Sequence, residues 1–183
     1  KKIGIDPNNI VIGYSGRIAK EKDILTLYSA FAQLQKKHKN VVLLVVGSGL
    51  KSIEETLRSN SSVIITGGVN DASAYLKAMD IYVLPSLTET TSLSTLEAMA
   101  CGLPVVTTKV GLLRKYIVKD YNGIFFPRQD SFMLYKKLNR LIRNPKLRAK
   151  LGKNARETIL HSYTWKRTAG KIIDAIYSVG RLG

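Results

Sequence analysis

The chain has 183 residues, with 29 Lys and Arg against 13 Asp and Glu, which gives a net charge of +16. Its 45% hydrophobic and 23% charged residues are typical of a globular domain and exclude disordered and collagen-like chains. The single cysteine, Cys101, excludes an intramolecular disulfide and favours a reducing, cytoplasmic setting, and apolar runs such as 41–46 are too short to cross a membrane. The charge is the unusual feature, and it indicates a polyanionic partner.

Short apolar runs alternate with amphipathic stretches over roughly the first two thirds of the chain. The runs are rich in Val and Ile without strict polar alternation, as is typical of strands buried on both faces of a parallel sheet. The predicted strands are residues 9–15, 40–46, 63–66, 81–84, 104–107 and 123–126. The predicted helices between them are residues 23–38, 53–59, 72–78, 93–101 and 113–118. This alternation predicts an α/β fold with a doubly wound, mainly parallel, six-stranded Rossmann-like sheet.

From about residue 128 the alternation gives way to additional C-terminal helices. Residues 130–143, 145–161 and 164–179 predict three consecutive helices, with Pro145 in a first turn after Asn144 and Thr164 as an N-cap. Residues 128–171 hold 13 Lys and Arg and only two acidic residues, a net charge of +11. The sequence therefore predicts one domain over residues 1–183, with a basic helical extension.

The end of the first predicted strand carries Gly16 and Arg17, and Lys22 follows near the start of the next helix. Doubly wound sheets bind ligands at the carboxyl ends of their strands, where backbone N–H groups at helix N-termini favour anions. Arg17 offers a planar fork and Lys22 a point charge, a suitable pair for a diphosphate without a metal ion. The alternative is a solvated basic loop.

Two carboxylates, Glu89 and Glu97, lie between the fourth predicted strand and the following helix. If that helix begins near Ser92, both can face one ligand that lies across its N-terminus. They would accept hydrogen bonds from sugar hydroxyls, at roughly 1.5–3 kcal/mol for each charged bond, while the N–H groups of residues 91–94 hold phosphate oxygens. The alternative is a capping box between Ser94 and Glu97, in which Glu97 closes the helix terminus.

The remaining residues that could belong to a functional site are better explained by structural roles. Gly47-Ser48-Gly49 lacks the third glycine of a dinucleotide-binding fingerprint and predicts a tight turn. His38 and His161 are lone histidines at predicted helix ends, where they offset the helix dipole. The sequence has no ligand spacing typical of zinc or magnesium, so neither a metal nor a cofactor is predicted.

The motifs occur in an ordered set: Gly16-Arg17 with Lys22, Gly47-Ser48-Gly49, Gly67, 80–86, 89–106, 120–123 and 163–165. In this order they resemble the C-terminal, donor-binding domain of family 4 retaining glycosyltransferases, which have the GT-B fold. The resemblance covers nearly the whole chain, and the set is specific although each motif alone is weak.

The resemblance implies a role for each matching residue. Arg17 and Lys22 would neutralise the diphosphate of the donor and stabilise it as a leaving group. Glu89, the third catalytic residue, would bind the hydroxyls of the transferred sugar, and Glu97 would bind the ribose. The implied donor-binding set also includes Gly16, Gly47, Gly67, Val69, Thr90, Thr91, Ser92 and Leu93, with residues 91–93 at the distal phosphate and residues 67–69 against the base.

The chain departs from the family pattern in two places. The family commonly has Gly-aromatic-Gly after the first glutamate, where this chain has Thr90-Thr91-Ser92. A second glycine and a proline are common where this chain has Gly-Leu-Leu-Arg at residues 111–114. Because both departures leave the charged residues in place, they imply an altered donor preference and no loss of function.

The family places a second α/β domain, which holds the acceptor, before the donor-binding domain. We expect this N-terminal domain to be absent here, so that the chain is half of an enzyme and binds a UDP-, GDP- or ADP-linked sugar but transfers little alone. The alternatives are a nucleotide-binding domain without chemistry and a polyanion-binding module for nucleic acid or acidic membrane. Nucleic acid is disfavoured because no RNP-like, zinc-finger or helix-turn-helix signature occurs. Peripheral contact of the basic helices with the inner face of the membrane is a hypothesis.

Overall fold

The computed structural model describes residues 4–180, apart from the side chains of residue 171 and residues 178–180. All six predicted strands form, and their ends lie within one residue of the predicted bounds. The strands are β1 (Ile10–Ser15), β2 (Val41–Val46), β3 (Val63–Ile65), β4 (Ile81–Leu84), β5 (Val105–Thr108) and β6 (Gly123–Phe126).

All eight predicted helices also form within the described residues. They are α1 (Ile24–Gln35), α2 (Lys51–Arg58), α3 (Ser73–Ala78), α4 (Leu93–Ala100), α5 (Leu113–Tyr116), α6 (Ser131–Arg143), α7 (Pro145–Ser162) and α8 (Trp165–Gly180). Helix α1 is shorter than predicted at its start because Asp23 has φ 48°, a left-handed conformation outside a right-handed helix. A 3₁₀ turn that the sequence did not predict, Lys20–Lys22, precedes it.

The predicted starts of the C-terminal helices are confirmed by their capping bonds. The side chain of Asn144 accepts a hydrogen bond from the Leu147 N–H at 2.9 Å, with Pro145 in the first turn of α7. The Thr164 hydroxyl accepts one from the Arg167 N–H at 3.4 Å, at the start of α8. Side-chain caps of this kind satisfy N–H groups that have no acceptor within the helix.

The six strands form one parallel sheet with the order β3-β2-β1-β4-β5-β6. The chain moves outward from β1 to β3 and then returns to the other side of β1, so the strand order reverses between β1 and β4. Right-handed crossovers therefore place α1 and α4 on opposite faces of the sheet. The loops that follow β1 and β4 consequently flank a crevice at the carboxyl edge of the sheet, the edge at which the strands end.

Apolar side chains fill both faces of the sheet, as the Val- and Ile-rich runs predict. On one face α1 packs against α6, and on the other α4 packs against α3 and α7. Leu27, Phe31 and Leu34 form the fully buried stripe of α1. Each side chain of this size contributes roughly 1.5–3 kcal/mol through burial, so the stripe holds the start of α1 in place beside the crevice.

Helix α8 differs from the others because its apolar face is exposed. Five large apolar side chains on it are between 50% and 86% exposed: Trp165, Ile172, Ile173, Ile176 and Tyr177. No helix in the described part of the chain is long and apolar enough to cross a lipid bilayer.

Helix α4, whose first turn borders the crevice, is fixed at its other end by a close approach to α7. A Cβ atom added at Gly152 of α7 would collide with the carbonyl oxygen of Gly102, directly after α4. We expect Gly152→Ala to lower the free energy of unfolding, because overpacking costs about 1–3 kcal/mol and exceeds a gain in helix propensity of about 1 kcal/mol. Urea unfolding measures the change.

Gly170→Ala in α8 is the matched control, because nothing lies within 4 Å of the Cβ that it adds. This variant is expected to raise the free energy of unfolding by up to about 1 kcal/mol. Equal stabilisation by both substitutions would show that the contact between α7 and Gly102 does not constrain α4.

Candidate functional site

The crevice between β1 and β4 brings together two segments that are far apart in the sequence. Residues 16–23 follow β1 and include the 3₁₀ turn, and residues 85–92 follow β4. The two segments are joined by a backbone hydrogen bond of 2.8 Å from the Leu87 N–H to the Glu21 carbonyl. The segment that carries Arg17 and Lys22 is thus hydrogen-bonded to the segment that carries Glu89.

Lys22 and Glu89 form an ion pair inside this crevice. Lys22 Nζ lies 2.6 Å from Glu89 Oε1, and the two side chains are only 21% and 8% exposed. The same carboxylate oxygen accepts a hydrogen bond of 2.8 Å from the Ser86 hydroxyl. A pair shielded in this way interacts more strongly than a solvent-exposed one. The sequence predicted both charged residues for the site, but not that they pair.

Arg17 is placed differently, at the exposed rim of the crevice. Its side chain is 71% exposed and forms an ion pair with Glu21, four residues later. A backbone hydrogen bond and the Arg17 guanidinium lower the pKa of the Glu21 carboxyl, so this carboxyl stays ionised at neutral pH. Sequence reasoning missed Glu21, although the four-residue spacing from Arg17 was visible. A ligand can therefore bind Arg17 only if the guanidinium contacts Glu21 and the ligand together, or if its ion pair with Glu21 breaks.

The N-terminus of α4 lies beside the ion pair. Ser92 is the N-cap, and its hydroxyl accepts hydrogen bonds from the N–H and the hydroxyl of Thr95. The prediction that the helix begins near Ser92 is confirmed. The capping-box alternative is wrong, because the position that closes such a box is occupied by Thr95 and not by Glu97.

Three adjoining cavities form a groove along the carboxyl edge. The first, about 260 Å³, is lined by Gly16, Lys22, Glu89, Thr91, Ser92 and Leu93, among others. The second, about 520 Å³, includes Gly16, Arg17, Gly47 and Val69 in its lining. The third, about 460 Å³, includes Val69, Glu97 and Cys101. Because neighbouring cavities share Gly16 and Val69, one extended ligand can span all three.

Two of the predicted site residues line none of these three cavities. Gly67 forms a β-bridge with Gly47 instead. The carbonyl of Thr90 accepts a hydrogen bond of 2.9 Å from the Leu112 N–H. Both residues shape the backbone next to the groove.

Gly47 and Gly111 permit close backbone contacts at the groove. Gly47 has φ 139°, and a Cβ atom added there would collide with the Gly16 carbonyl oxygen. Gly111 has φ 50°, and a Cβ atom there would collide with the carbonyl oxygen of Glu89. Because only glycine tolerates these positions without strain, Gly111 packs the loop after β5 directly against the backbone that carries Glu89.

Two buried tyrosines that sequence reasoning missed hold the segment after β1 and the first turn of α4. The Tyr14 hydroxyl donates to the Arg17 carbonyl at 2.7 Å, and the Tyr82 hydroxyl donates to Ser94 Oγ at 2.9 Å. Burial raises the pKa of both hydroxyls, so they remain neutral donors at physiological pH. Within their strands the two tyrosines have no sequence signal that separates them from ordinary core residues.

The remaining titratable candidates, His38 and Cys101, lie in different parts of the fold. His38 Nε2 lies 2.7 Å from Asn139 Oδ1, in the contact between α1 and α6. Burial raises the pKa of the Cys101 thiol, which borders the third cavity. Among the described residues, no group of three or more His, Cys, Asp or Glu side chains is arranged to hold a metal ion.

Comparison with known proteins identifies relatives of the chain. The family described as "Glycosyl transferases group 1" matches residues 1–158. The capsular polysaccharide biosynthesis glycosyltransferase CapM of Staphylococcus aureus is 32% identical over 163 residues, which are 86% of this chain and 43% of CapM. The chain therefore spans less than half the length of this relative.

Solved structures agree with the fold. The C-terminal domain of the group 1 glycosyl transferase LpcC from Francisella tularensis has a TM-score of 0.77 at 29% identity, over 85% of this chain and 87% of that one. HepE of Anabaena, solved in complex with UDP and glucose, has a TM-score of 0.86 over 97% of this chain and 50% of its own. At 23% identity, the likeness to HepE concerns the fold alone.

The two cation–carboxylate pairs differ in burial, and this difference predicts different costs of removal. We expect Lys22→Ala to lower the free energy of unfolding by about 1–3 kcal/mol, because it leaves a shielded carboxylate without its cation. Arg17→Ala breaks an exposed pair and is expected to change the free energy of unfolding by less than about 1 kcal/mol. Urea unfolding of both variants in the same buffer gives the comparison, and equal costs would contradict the assigned burial.

Proposed function

The chain belongs to the glycosyl transferases group 1 family, and from this membership we propose that it is the donor-binding half of a retaining glycosyltransferase. The enzyme would move a sugar from a nucleotide diphosphate-sugar to an acceptor. One observation carries the proposal: the groove at the reversal of strand order contains, in succession, the Lys22–Glu89 pair, the glycine-rich turns and Glu97. In such a groove a nucleotide diphosphate-sugar can place its sugar beside Glu89, its phosphates beside Lys22 and Arg17, and its ribose beside Glu97.

In this proposal Lys22, Arg17 and the first turn of α4 bind the diphosphate. During transfer, the bond between the anomeric carbon and the distal phosphate oxygen breaks, and negative charge grows on the departing nucleoside diphosphate. Two cations and the positive end of a helix dipole stabilise that charge. These groups belong to the protein, which supports a metal-independent mechanism. The phosphate must compete with Glu89 for Lys22 and with Glu21 for Arg17.

The remaining groove residues are assigned to the two ends of the donor. Glu89 accepts hydrogen bonds from hydroxyls of the transferred sugar, and Glu97, which is exposed in the third cavity, accepts them from the ribose. Val69 and the turn at residues 67–69 lie against the base. The base is one of uracil, guanine or adenine.

We further propose that a second α/β domain of the same protein completes the enzyme and holds the acceptor. The length of CapM, of which this chain spans 43%, supports an additional domain. The exposed apolar face of α8 supports it as well, because contiguous apolar surface of this kind marks an interaction site. The 183-residue chain would then bind a donor and transfer little sugar by itself.

Nucleotide binding is the direct test of the proposal. We expect calorimetry with UDP, GDP, ADP and their sugars, in buffer that contains EDTA, to find binding to the 183-residue chain. Arg17→Ala, Lys22→Ala and Glu97→Ala should each weaken it about 10- to 100-fold, because each removes a charged hydrogen bond worth roughly 1.5–3 kcal/mol. Arg58→Ala is the matched control, since the Arg58 side chain is 56% exposed and lines none of the groove cavities.

Unchanged nucleotide binding in all three groove variants would contradict the site. A nucleotide-binding domain without chemistry is the alternative if the full-length protein also fails to transfer sugar. Substantial turnover by the 183-residue chain alone would contradict the need for a second domain.

The basic helices suggest a peripheral contact of this domain with anionic membrane, and we propose it as a second role for the chain. The exposed stripe of α6 carries Phe132, Lys136, Arg140 and Arg143, with Lys136 Nζ 4.3 Å from the centre of the Phe132 ring. Cations beside an exposed aromatic ring suit a surface of anionic headgroups. The cytoplasmic setting inferred from the single cysteine stays a prediction, and this contact would place the domain at the inner face of the membrane.

Vesicle flotation tests the membrane contact. We expect the chain to float with phosphatidylglycerol–phosphatidylcholine vesicles at low salt, and the triple variant Lys136→Gln, Arg140→Gln, Arg143→Gln to float much less. The control triple variant Lys51→Gln, Lys77→Gln, Lys109→Gln removes the same charge from exposed positions outside α6. If both variants lose flotation equally, or the wild type does not float, α6 is not a membrane-binding surface.

A further inference from the structure

Ser86 lies next to the candidate site, but neither the sequence motifs nor the family resemblance assigns it a role. We propose that Ser86 is a positioning residue for the donor sugar, because it holds the Glu89 carboxylate in one orientation. This inference rests on the proposed function, in which Glu89 binds the sugar and Lys22 binds the diphosphate.

The two partners of the Glu89 carboxylate contact the same one of its oxygens. The Ser86 hydroxyl donates to Glu89 Oε1 at 2.8 Å, and Lys22 Nζ lies 2.6 Å from the same oxygen. Neither bond uses Oε2, so this oxygen is the one left for the hydroxyls of a sugar. A carboxylate held by two donors at one oxygen cannot rotate without losing one of them.

Ser86 itself is fixed by the neighbouring strand. It is completely buried, and its carbonyl accepts a hydrogen bond from the Thr108 hydroxyl at the end of β5. The preceding residues are held in the same way, since the Thr107 hydroxyl donates to the Leu84 carbonyl at 2.9 Å. The Ser86 hydroxyl is therefore anchored to the sheet, whereas Glu89 is carried on a loop.

Binding of the nucleotide-sugar affects the two hydrogen bonds on Oε1 differently. A phosphate oxygen competes for Lys22, which is charged and can turn away from Glu89. The Ser86 hydroxyl is neutral and anchored to the sheet, so it keeps its bond to Glu89. Glu89 therefore stays at the sugar when Lys22 moves to the phosphate. Without this hydroxyl, Glu89 is held by Lys22 alone and is free to reorient. The loss should therefore affect recognition of the sugar more than recognition of the diphosphate.

The experiment compares the affinity for a nucleoside diphosphate with that for its sugar. The probes are UDP with UDP-glucose, GDP with GDP-mannose and ADP with ADP-glucose, and the pair that the wild type binds is used. We expect Ser86→Ala to weaken binding of the nucleotide-sugar about five- to tenfold relative to the nucleoside diphosphate, in line with one lost hydrogen bond to a charged group. Ser86→Cys replaces the hydroxyl with a somewhat larger thiol that is a weak donor, so its affinity ratio should lie between that of the wild type and that of Ser86→Ala.

Two further measurements separate positioning from a general loss of stability. Thr107→Val removes a buried hydroxyl bond from the same segment without touching Glu89, so it should lower stability and leave the affinity ratio unchanged. In a Glu89→Ala background, Ser86→Ala should change the ratio no further, because the side chain that Ser86 positions is already gone.

The outcomes distinguish this inference from the proposed function. If the wild type binds none of the nucleotides, the proposed function fails and this inference fails with it. The inference alone is overturned if the wild type binds but Ser86→Ala leaves the ratio unchanged. It is overturned equally if Thr107→Val shifts the ratio as much, or if the effects of Ser86→Ala and Glu89→Ala on the ratio are additive.

Discussion

Strands β1 and β4 are hydrogen-bonded neighbours at the centre of the sheet, although β2 and β3 lie between them along the chain. Their carboxyl ends meet because they are parallel, and the helices after them lie on opposite faces because the strand order reverses there. A crevice is left open between the two loops. Lys22 enters it from one loop and Glu89 from the other, so every feature of the groove depends on this reversal.

Both candidate diphosphate-binding cations of the groove are already paired with carboxylates of the protein. Lys22 is paired with Glu89 and Arg17 with Glu21, and the Ser92 hydroxyl satisfies part of the first turn of α4. A diphosphate entering such a site exchanges protein carboxylates for phosphate oxygens rather than occupying bare cations. The free energy of binding is then a difference between two sets of charged contacts, and small changes in the geometry of the carboxylates can decide donor preference.

The fold was predictable from the sequence, to within one residue at every strand end. Buried parallel strands carry a local pattern of Val and Ile, and the start of α4 near Ser92 follows from its own neighbours. Glu97 shows the limit of such reasoning. Its spacing from Ser94 fitted a capping box equally well, and only the observed N-cap at Ser92 excluded that alternative.

The sequence by itself determined the strand–helix order, the basic C-terminal helices and the residue types at the groove, because these depend on short-range periodicity and composition. Tertiary structure alone decided which groups touch. Lys22 and Glu89 are 67 residues apart, the Ser86 carbonyl is held by Thr108 from another strand, and the Tyr14 and Tyr82 hydroxyls are indistinguishable from core residues within their strands. Pairing across strands depends on strand order and register, and no local pattern of residues encodes a contact between loops that only the sheet brings together.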